Sequence, residues 1–141
     1  MMRIEVDSSG GLPVYERIVR GIKYAIARGE YRPGERLPSV RGLAVALLVN
    51  PNTVARAYRQ LEREGIVVTR RGDGMFVADR APLICRRTRK SQVADGIAQA
   101  LREAVASGVA PAQIRAIVNR ELRDAVRDAR RDRSETIRHE Q

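Results

Sequence analysis

The chain has 141 residues, enough for one compact domain with an extension and too few for a large catalytic core. Its 27 Lys and Arg residues exceed its 17 Asp and Glu residues, which gives a net charge of +10. All the basic residues except Lys23 and Lys90 are arginine, and guanidinium groups bind phosphate bidentately, so the balance favours a phosphate-bearing partner, with simple solubility as the alternative.

The sequence offers little material for catalysis, metal binding or membrane insertion. Cys85 is the single cysteine, which excludes an internal disulfide, and the single histidine, His139, leaves no zinc-type spacing. The sequence contains no glycine-rich phosphate loop and no nucleophile with a histidine base. No apolar run approaches the ~20 residues of a membrane span, and the amino terminus lacks the pattern of a signal peptide. We therefore expect a cytoplasmic protein that is not an enzyme, without metal, cofactor or membrane contact.

The first part of the chain predicts a packing helix. Residues 3–6 could form a short edge strand. A helix is expected from Pro13 to Gly29, because apolar residues recur at three- and four-residue steps at Val14, Ile18, Ile22, Ala25 and Ile26. The Pro- and Gly-bearing stretch 31–38 predicts a rigid link with Leu37 in the core.

Two short helices follow, joined by only Val49 and Asn50. Ser39 is expected to cap the first helix, which would leave Arg41 exposed and bury Val40, Leu43, Ala44, Leu47 and Leu48. So short a turn makes the helices cross steeply, as in a helix-turn-helix. An ordinary helical hairpin is the alternative.

The second of these helices has strong local signals at both ends. Asn50 is expected to be the N-cap, and Pro51 fits the first helical position. Gly65 is expected to end the helix. Its inward stripe is Val54, Ala57, Tyr58 and Leu61, and its outer face carries Asn52, Thr53, Arg56, Arg59 and Arg63. A helix of about four turns with a basic outer face can fit into the major groove of DNA.

Next come two short β-prone runs, residues 66–69 and 75–77, which predict a hairpin. Its tip carries Arg70, Arg71 and Gly72, which could approach a phosphate or enter a minor groove. A basic hairpin tip is also common as a solvated turn, but its position directly after a helix-turn-helix favours a DNA-binding wing.

The carboxy-terminal part predicts a basic linker (81–91), two amphipathic helices (92–107 and 111–132) and a disordered tail (134–141). Two such helices cover each other only partly, so a second copy is expected to cover the rest. The predicted dimerisation residues are Val93, Ile97, Leu101, Val105, Ile114, Ile117, Val118, Leu122 and Val126.

The motifs PGERLPSVRGLA, VNPNTVARAYRQLEREGIV and TRRGDGMFV, in this order after the first helix, resemble the winged helix-turn-helix of the GntR family of bacterial transcription regulators. The resemblance covers about residues 12–78, and the NPNTV and AYRQLE segments are similar to the YtrA-like subfamily. Two residues depart from the pattern. Gly42 stands where an acidic residue is common, and Leu48 stands where a glycine is usual in the turn.

The resemblance implies that Arg41, Asn50, Asn52, Thr53, Arg71 and Gly72 contact operator DNA. We add Arg56 and Arg70 from their positions. Asn50, Asn52, Thr53 and Arg56 are expected to read base edges, and Arg41, Arg70 and Arg71 are expected to hold the DNA backbone. The expected protein is mainly α with a small β-hairpin: a winged helix-turn-helix over residues 1–80 and a two-helix dimerisation region over 92–133.

The expected function is that of a homodimeric repressor of a palindromic operator, and the resemblance suggests a transporter operon and the protein's own gene as targets. No effector pocket is evident in the sequence. The main alternative is a winged-helix protein-interaction or assembly module without specific DNA binding. A membrane-surface role is disfavoured because acidic residues are interspersed in the tail helices and these lack Trp and Phe.

Overall fold

The computed structural model describes residues 4–6 and 11–139, with side chains through residue 137. Its elements are α1 (Val14–Ala27), α2 (Val40–Leu47), α3 (Pro51–Arg63), β1 (Val67–Arg70), β2 (Gly74–Val77), α4 (Ala81–Ala106) and α5 (Pro111–His139). The chain divides into two compact units, residues 1–93 and 94–141. This mainly helical architecture with one antiparallel hairpin confirms the predicted fold class.

The core of the first unit lies between α1 and α3, with α2 packed on α3. Ile18, Ile22 and Ile26 follow one another at four-residue steps on α1, and all three are fully buried. The inward stripe predicted for α3 is also buried in full. At the edge of this contact, Lys23 Nζ lies 2.9 Å from a carboxylate oxygen of Glu64, which joins α1 to the end of α3.

The amino-terminal segment packs on α1 instead of pairing as a strand. Ile4 is buried, and the carbonyl oxygen of Glu5 occupies the space that a Cβ on Gly21 would need. The predicted edge strand is therefore wrong for residues 4–6, because this segment contacts a helix and pairs with no strand in the described part of the chain. Arg3 and residues 7–10 lie outside the described residues.

The turn between α2 and α3 differs from the sequence prediction at Leu48. We expected this side chain in the core, but it is 92% exposed. The reason is that Leu48 ends α2 in the left-handed conformation, with φ 57° and ψ 45°, so its Cβ leaves the direction of the buried stripe. The left-handed turn that glycine usually supplies is kept without the glycine.

The hairpin pairs Val67 with Val77 and Arg70 with Gly74, so its tip consists of residues 71–73. Ile66, Val67 and Val77 are buried and attach the hairpin to the core. One residue of the link before α2, Arg36, forms an isolated bridge to Phe76 on the free edge of β2.

Residues 81–91, for which we expected a linker, form the first turns of α4. Ala81 and Cys85 are buried in the first unit, and the stretch contains no glycine, so nothing interrupts the helix. Pro82 is tolerated because it lies in the first turn, where its missing N–H has no helical acceptor.

Residues 134–139 of the expected disordered tail are also helical, and residues 140–141 lie outside the described residues. α5 continues through residues 134–139, and the hydroxyls of Ser134 and Thr136 donate 2.9 Å hydrogen bonds to the carbonyl oxygens of Arg130 and Asp132. After Pro111 the helix meets no proline or glycine. No helix in the part of the chain that the structure describes is long and apolar enough to cross a bilayer. The division of the chain into functional regions stays a prediction.

Candidate nucleic-acid interface

The start of α3 is fixed by the cap that the sequence predicts. The side-chain oxygen of Asn50 accepts a 2.8 Å hydrogen bond from the backbone N–H of Asn52, and Pro51 occupies the first helical position. The cap uses the acceptor of Asn50 and leaves its side-chain NH₂ group as a donor. Asn52 is exposed and Thr53 is half-buried, so the first turn presents polar groups to the outside.

The outer face of α3 is basic, as predicted, because Arg56, Arg59 and Arg63 are all exposed. Arg56 is held in place: its guanidinium carbon lies 3.8 Å from the centre of the Tyr15 ring on α1. Tyr15 in turn donates a 3.0 Å hydrogen bond to the carboxylate of Glu16. Sequence reasoning treated α1 as a packing helix only, and it missed this contact.

Asn52, Thr53 and Arg56 border one cavity of about 330 Å³ together with Val14 and Tyr15. The structure thus brings together three of the predicted base-reading residues beside the start of α1. No periodic pattern marks Tyr15 as part of this group, since its contact with Arg56 joins residues 41 positions apart in the sequence.

Arg41 is exposed in the first turn of α2. The Oγ of Ser39 accepts a 3.0 Å hydrogen bond from the N–H of Gly42, so the predicted cap forms without an acidic partner at that position. A Cβ on Gly42 would lie 2.9 Å from that Oγ. Arg41 therefore projects from a capped helix start whose free N–H groups also favour an anion.

The wing presents its arginines from two positions. Arg70 lies on β1, with its guanidinium carbon 4.4 Å from the centre of the Phe76 ring, whereas Arg71 lies in the tip and is exposed. Gly72 has φ +85°, a conformation that side chains rarely adopt, which explains the glycine at this place in the turn. Arg41, Arg70, Arg71 and Gly72 thus lie on elements other than α3.

The apolar side chains predicted for dimerisation are exposed in the single chain, apart from half-buried Ile114. Ile97 is 57% exposed, and Val105 and Leu122 are each 61% exposed. Within the described residues there is no cluster of three or more His, Cys, Asp or Glu side chains that could hold a metal ion.

Comparison with known proteins agrees with this geometry. Residues 14–77 match the model of the family described as bacterial regulatory proteins, gntR family. The chain is 37% identical over 106 residues to the HTH-type transcriptional repressor YtrA of Bacillus subtilis, a match that covers 75% of this chain and 82% of that protein.

Solved structures show the same likeness. A transcriptional regulator from Oenococcus oeni is similar with a TM-score of 0.68 and 32% identity, over 82% of this chain and 96% of that one. AraR(DBD) in complex with operator ORX1 is similar with a TM-score of 0.50 and 26% identity, over 55% of this chain and 100% of that one. The chain therefore belongs to the gntR family of bacterial regulatory proteins, in a form similar to YtrA, and is a DNA-binding transcription regulator and not an enzyme.

Proposed function

We propose that this regulator is a homodimeric repressor that binds a palindromic operator with one α3 helix in each half-site. The observation that carries the proposal is the capped, basic outer face of α3, where Asn52 and Arg56 are exposed in a chain similar to the repressor YtrA. The likeness to AraR(DBD) in complex with operator ORX1 supports DNA as the partner.

In this proposal the contacts to DNA have two roles. Asn50, Asn52, Thr53 and Arg56 read base edges in the major groove, since amide and guanidinium groups can form paired hydrogen bonds with adenine and guanine. Arg41, Arg70 and Arg71 hold phosphates, and Gly72 lets the wing backbone come close to the minor groove. Phosphate contacts set the position of the protein, and base contacts set its specificity.

The dimer is proposed from the exposed apolar side chains of α4 and α5. Ile97, Val105 and Leu122 are more than half exposed, which is unfavourable for a single chain in water. A two-fold dimer would cover these side chains and present two recognition helices to half-sites about 34 Å apart, one turn of DNA. The operator would then be palindromic.

Repression follows if the dimer occupies a site that polymerase needs. The similarity to YtrA-like regulators extends the proposal to a transporter operon and the protein's own gene as targets, and to a cytoplasmic location at the nucleoid. No small-molecule effector is part of the proposal.

Selection of bound fragments from a random pool of duplexes by the purified full chain tests the proposal. We expect an enriched palindrome whose half-sites lie one helical turn apart, together with a complex of two chains per duplex. Enrichment of a single asymmetric site, or of no sequence at all, would contradict the proposal. A chain that binds a protein partner and ignores DNA would favour the interaction-module alternative.

A further inference from the structure

The link before α2 pairs with the wing along the edge of β2 that β1 leaves free. The N–H of Gly34 donates to the carbonyl oxygen of Val77 (2.8 Å), and the N–H of Leu37 donates to that of Met75 (2.9 Å). The N–H of Val77 donates in return to the carbonyl oxygen of Glu35 (2.9 Å). These bonds place Arg36 directly opposite Phe76.

Alternation along the paired strands puts Arg36 on the outer face of the wing. Leu37, Val67 and Val77 are buried on the inner face, and side chains on neighbouring positions of a strand point to opposite faces. Arg36, Phe76 and Arg70 therefore share the outer face, since Phe76 pairs with Val68 and Gly74 pairs with Arg70 in the hairpin register.

The two arginines lie beside the same part of β2, at Phe76 and Gly74. Arg70 stacks on Phe76 with 4.4 Å between its guanidinium carbon and the ring centre. The Nε and Nη2 atoms of Arg36 lie 3.0 and 3.3 Å from the position that a Cβ on Gly74 would occupy. The Arg36 guanidinium thus lies in space that is open because Gly74, the first residue after the wing tip, has no side chain.

Neither guanidinium has a carboxylate partner within the described residues, where the ion pairs join Lys23, Arg28, Arg120 and Arg127 to acidic residues. Like charges that share one face repel each other, and a bound anion relieves the repulsion. A guanidinium is planar and matches the geometry of phosphate oxygens. Phe76 restricts the motion of the Arg70 side chain, so less entropy is lost when an anion binds.

We propose that Arg36 and Arg70 together bind a phosphate group of duplex DNA on the outer face of the wing, with Phe76 as a positioning residue beneath Arg70. The inference rests on the proposed DNA-binding function and adds Arg36, a residue of the link before α2, to the contacts. Because Ser39 caps α2 three residues after Arg36, one short segment connects the phosphate site to the helix-turn-helix.

The test compares Arg36→Gln with Arg32→Gln in the full chain, using a duplex that the wild type selects and an unrelated duplex of equal length. Gln keeps part of the side chain and removes the charge. Arg32 is an exposed residue of the same link and precedes Gly34, where the pairing with β2 begins, so its variant matches the change in net charge. Fluorescence anisotropy over a series of salt concentrations gives the affinity and its salt dependence.

We expect Arg36→Gln to weaken binding to both duplexes by about tenfold. We also expect it to reduce the slope of log affinity against log salt by about 1, whereas Arg32→Gln should leave the slope unchanged. Arg36→Lys keeps the charge and should restore the slope. Arg70→Gln should reproduce the loss, which keeps the inference testable if the Arg36→Gln chain fails to fold.

A duplex series in which single phosphates are replaced by methylphosphonate locates the contact. One replacement should weaken the wild type and should have a smaller effect on Arg36→Gln and on Arg70→Gln, each of which keeps only one of the two arginines. If the wild type binds DNA while Arg36→Gln keeps its affinity and slope, the inference is wrong and the proposed function stands. If the wild type binds neither duplex, the proposed function itself fails.

Discussion

The hydroxyl of Tyr58 in α3 donates a 2.6 Å hydrogen bond to the carbonyl oxygen of Pro38, in the link that leads into α2. Burial raises the pKa of Tyr58 well above its usual range, so the hydroxyl remains a donor at any ordinary pH. Ser39, which caps α2, follows Pro38 directly. This hydrogen bond therefore joins α3 to the residue immediately before the cap of α2.

Tyr58→Phe should lower the free energy of unfolding by about 1 to 2 kcal/mol, because the Pro38 carbonyl loses its partner in a mostly buried place. Urea denaturation would show a lower midpoint with an unchanged slope. Tyr24→Phe is the matched control, since the Tyr24 hydroxyl forms no hydrogen bond within the described residues. Equal destabilisation by the two variants would show that the Tyr58 hydrogen bond adds nothing to the free energy of unfolding.

Asn52→Ala and Arg71→Ala should affect DNA binding in different ways. Loss of a base contact at Asn52 should cost about 1 to 3 kcal/mol on the selected duplex and little on an unrelated one. Loss of a phosphate contact at Arg71 should weaken binding to both duplexes and flatten the salt dependence, whose slope is about −0.9 per neutralised phosphate. Anisotropy titrations on the two duplexes measure both effects, and identical profiles would refute the assigned roles.

Leu48→Asn should raise the free energy of unfolding by about 0.5 to 1 kcal/mol. Leu48 has a positive φ of 57° and is almost fully exposed, so the change relieves backbone strain and loses little packing. Asn tolerates the left-handed conformation better than other residues with a side chain do. Leu48→Val, which is branched at Cβ, should destabilise the fold. The midpoints of thermal unfolding of the two variants should shift in opposite directions. Shifts in the same direction would contradict backbone strain at Leu48.

The Cys85 thiol should resist alkylation in the native chain. It is buried, and burial raises its pKa from 9.0 to about 11, so the reactive thiolate is scarce at neutral pH. Iodoacetamide labelling should be slow in buffer and fast in urea. Because the folded pKa is above the unfolded one, the protonated thiol favours folding below about pH 9, and this contribution is lost as the pH rises through 11. Cys85→Ala should therefore show less loss of stability over that range, and rapid labelling of the native wild type would contradict its burial.

Leu122→Asp should convert the proposed dimer to a folded monomer, because a carboxylate cannot be buried unpaired in an apolar interface. Gln113→Asp makes the same change in charge at an exposed position nine residues away, on the opposite side of α5. Sedimentation velocity should give one chain for the first variant and two for the second. If both variants sediment as two-chain particles, the contact between copies does not involve Leu122.

The elements that the sequence predicts well are those with local signals. Asn50, Pro51 and Gly65 define α3 within one residue at each end, because caps and backbone preferences act between near neighbours. The inward stripe of α3 follows from the helical repeat alone.

The features that the sequence does not predict depend on tertiary contacts. The stack of Arg56 on Tyr15 and the pairing of Arg36 with Phe76 join residues about 40 positions apart, and no local pattern records them. Leu48 looked like a core residue because apolar spacing says nothing about a left-handed turn. The basic residues of 81–91 predicted a linker. In the structure this stretch is the start of α4, and Ala81 and Cys85 pack it against the core.

The fit of the Glu5 carbonyl against Gly21 has a practical consequence for handling the protein. Any side chain at position 21 would meet backbone atoms, so α1 accepts only glycine there while Ile4 stays buried. An affinity tag or fusion partner joined immediately ahead of Ile4 would interfere with the packing of residues 4–6 on α1, and a spacer at that junction would preserve this packing.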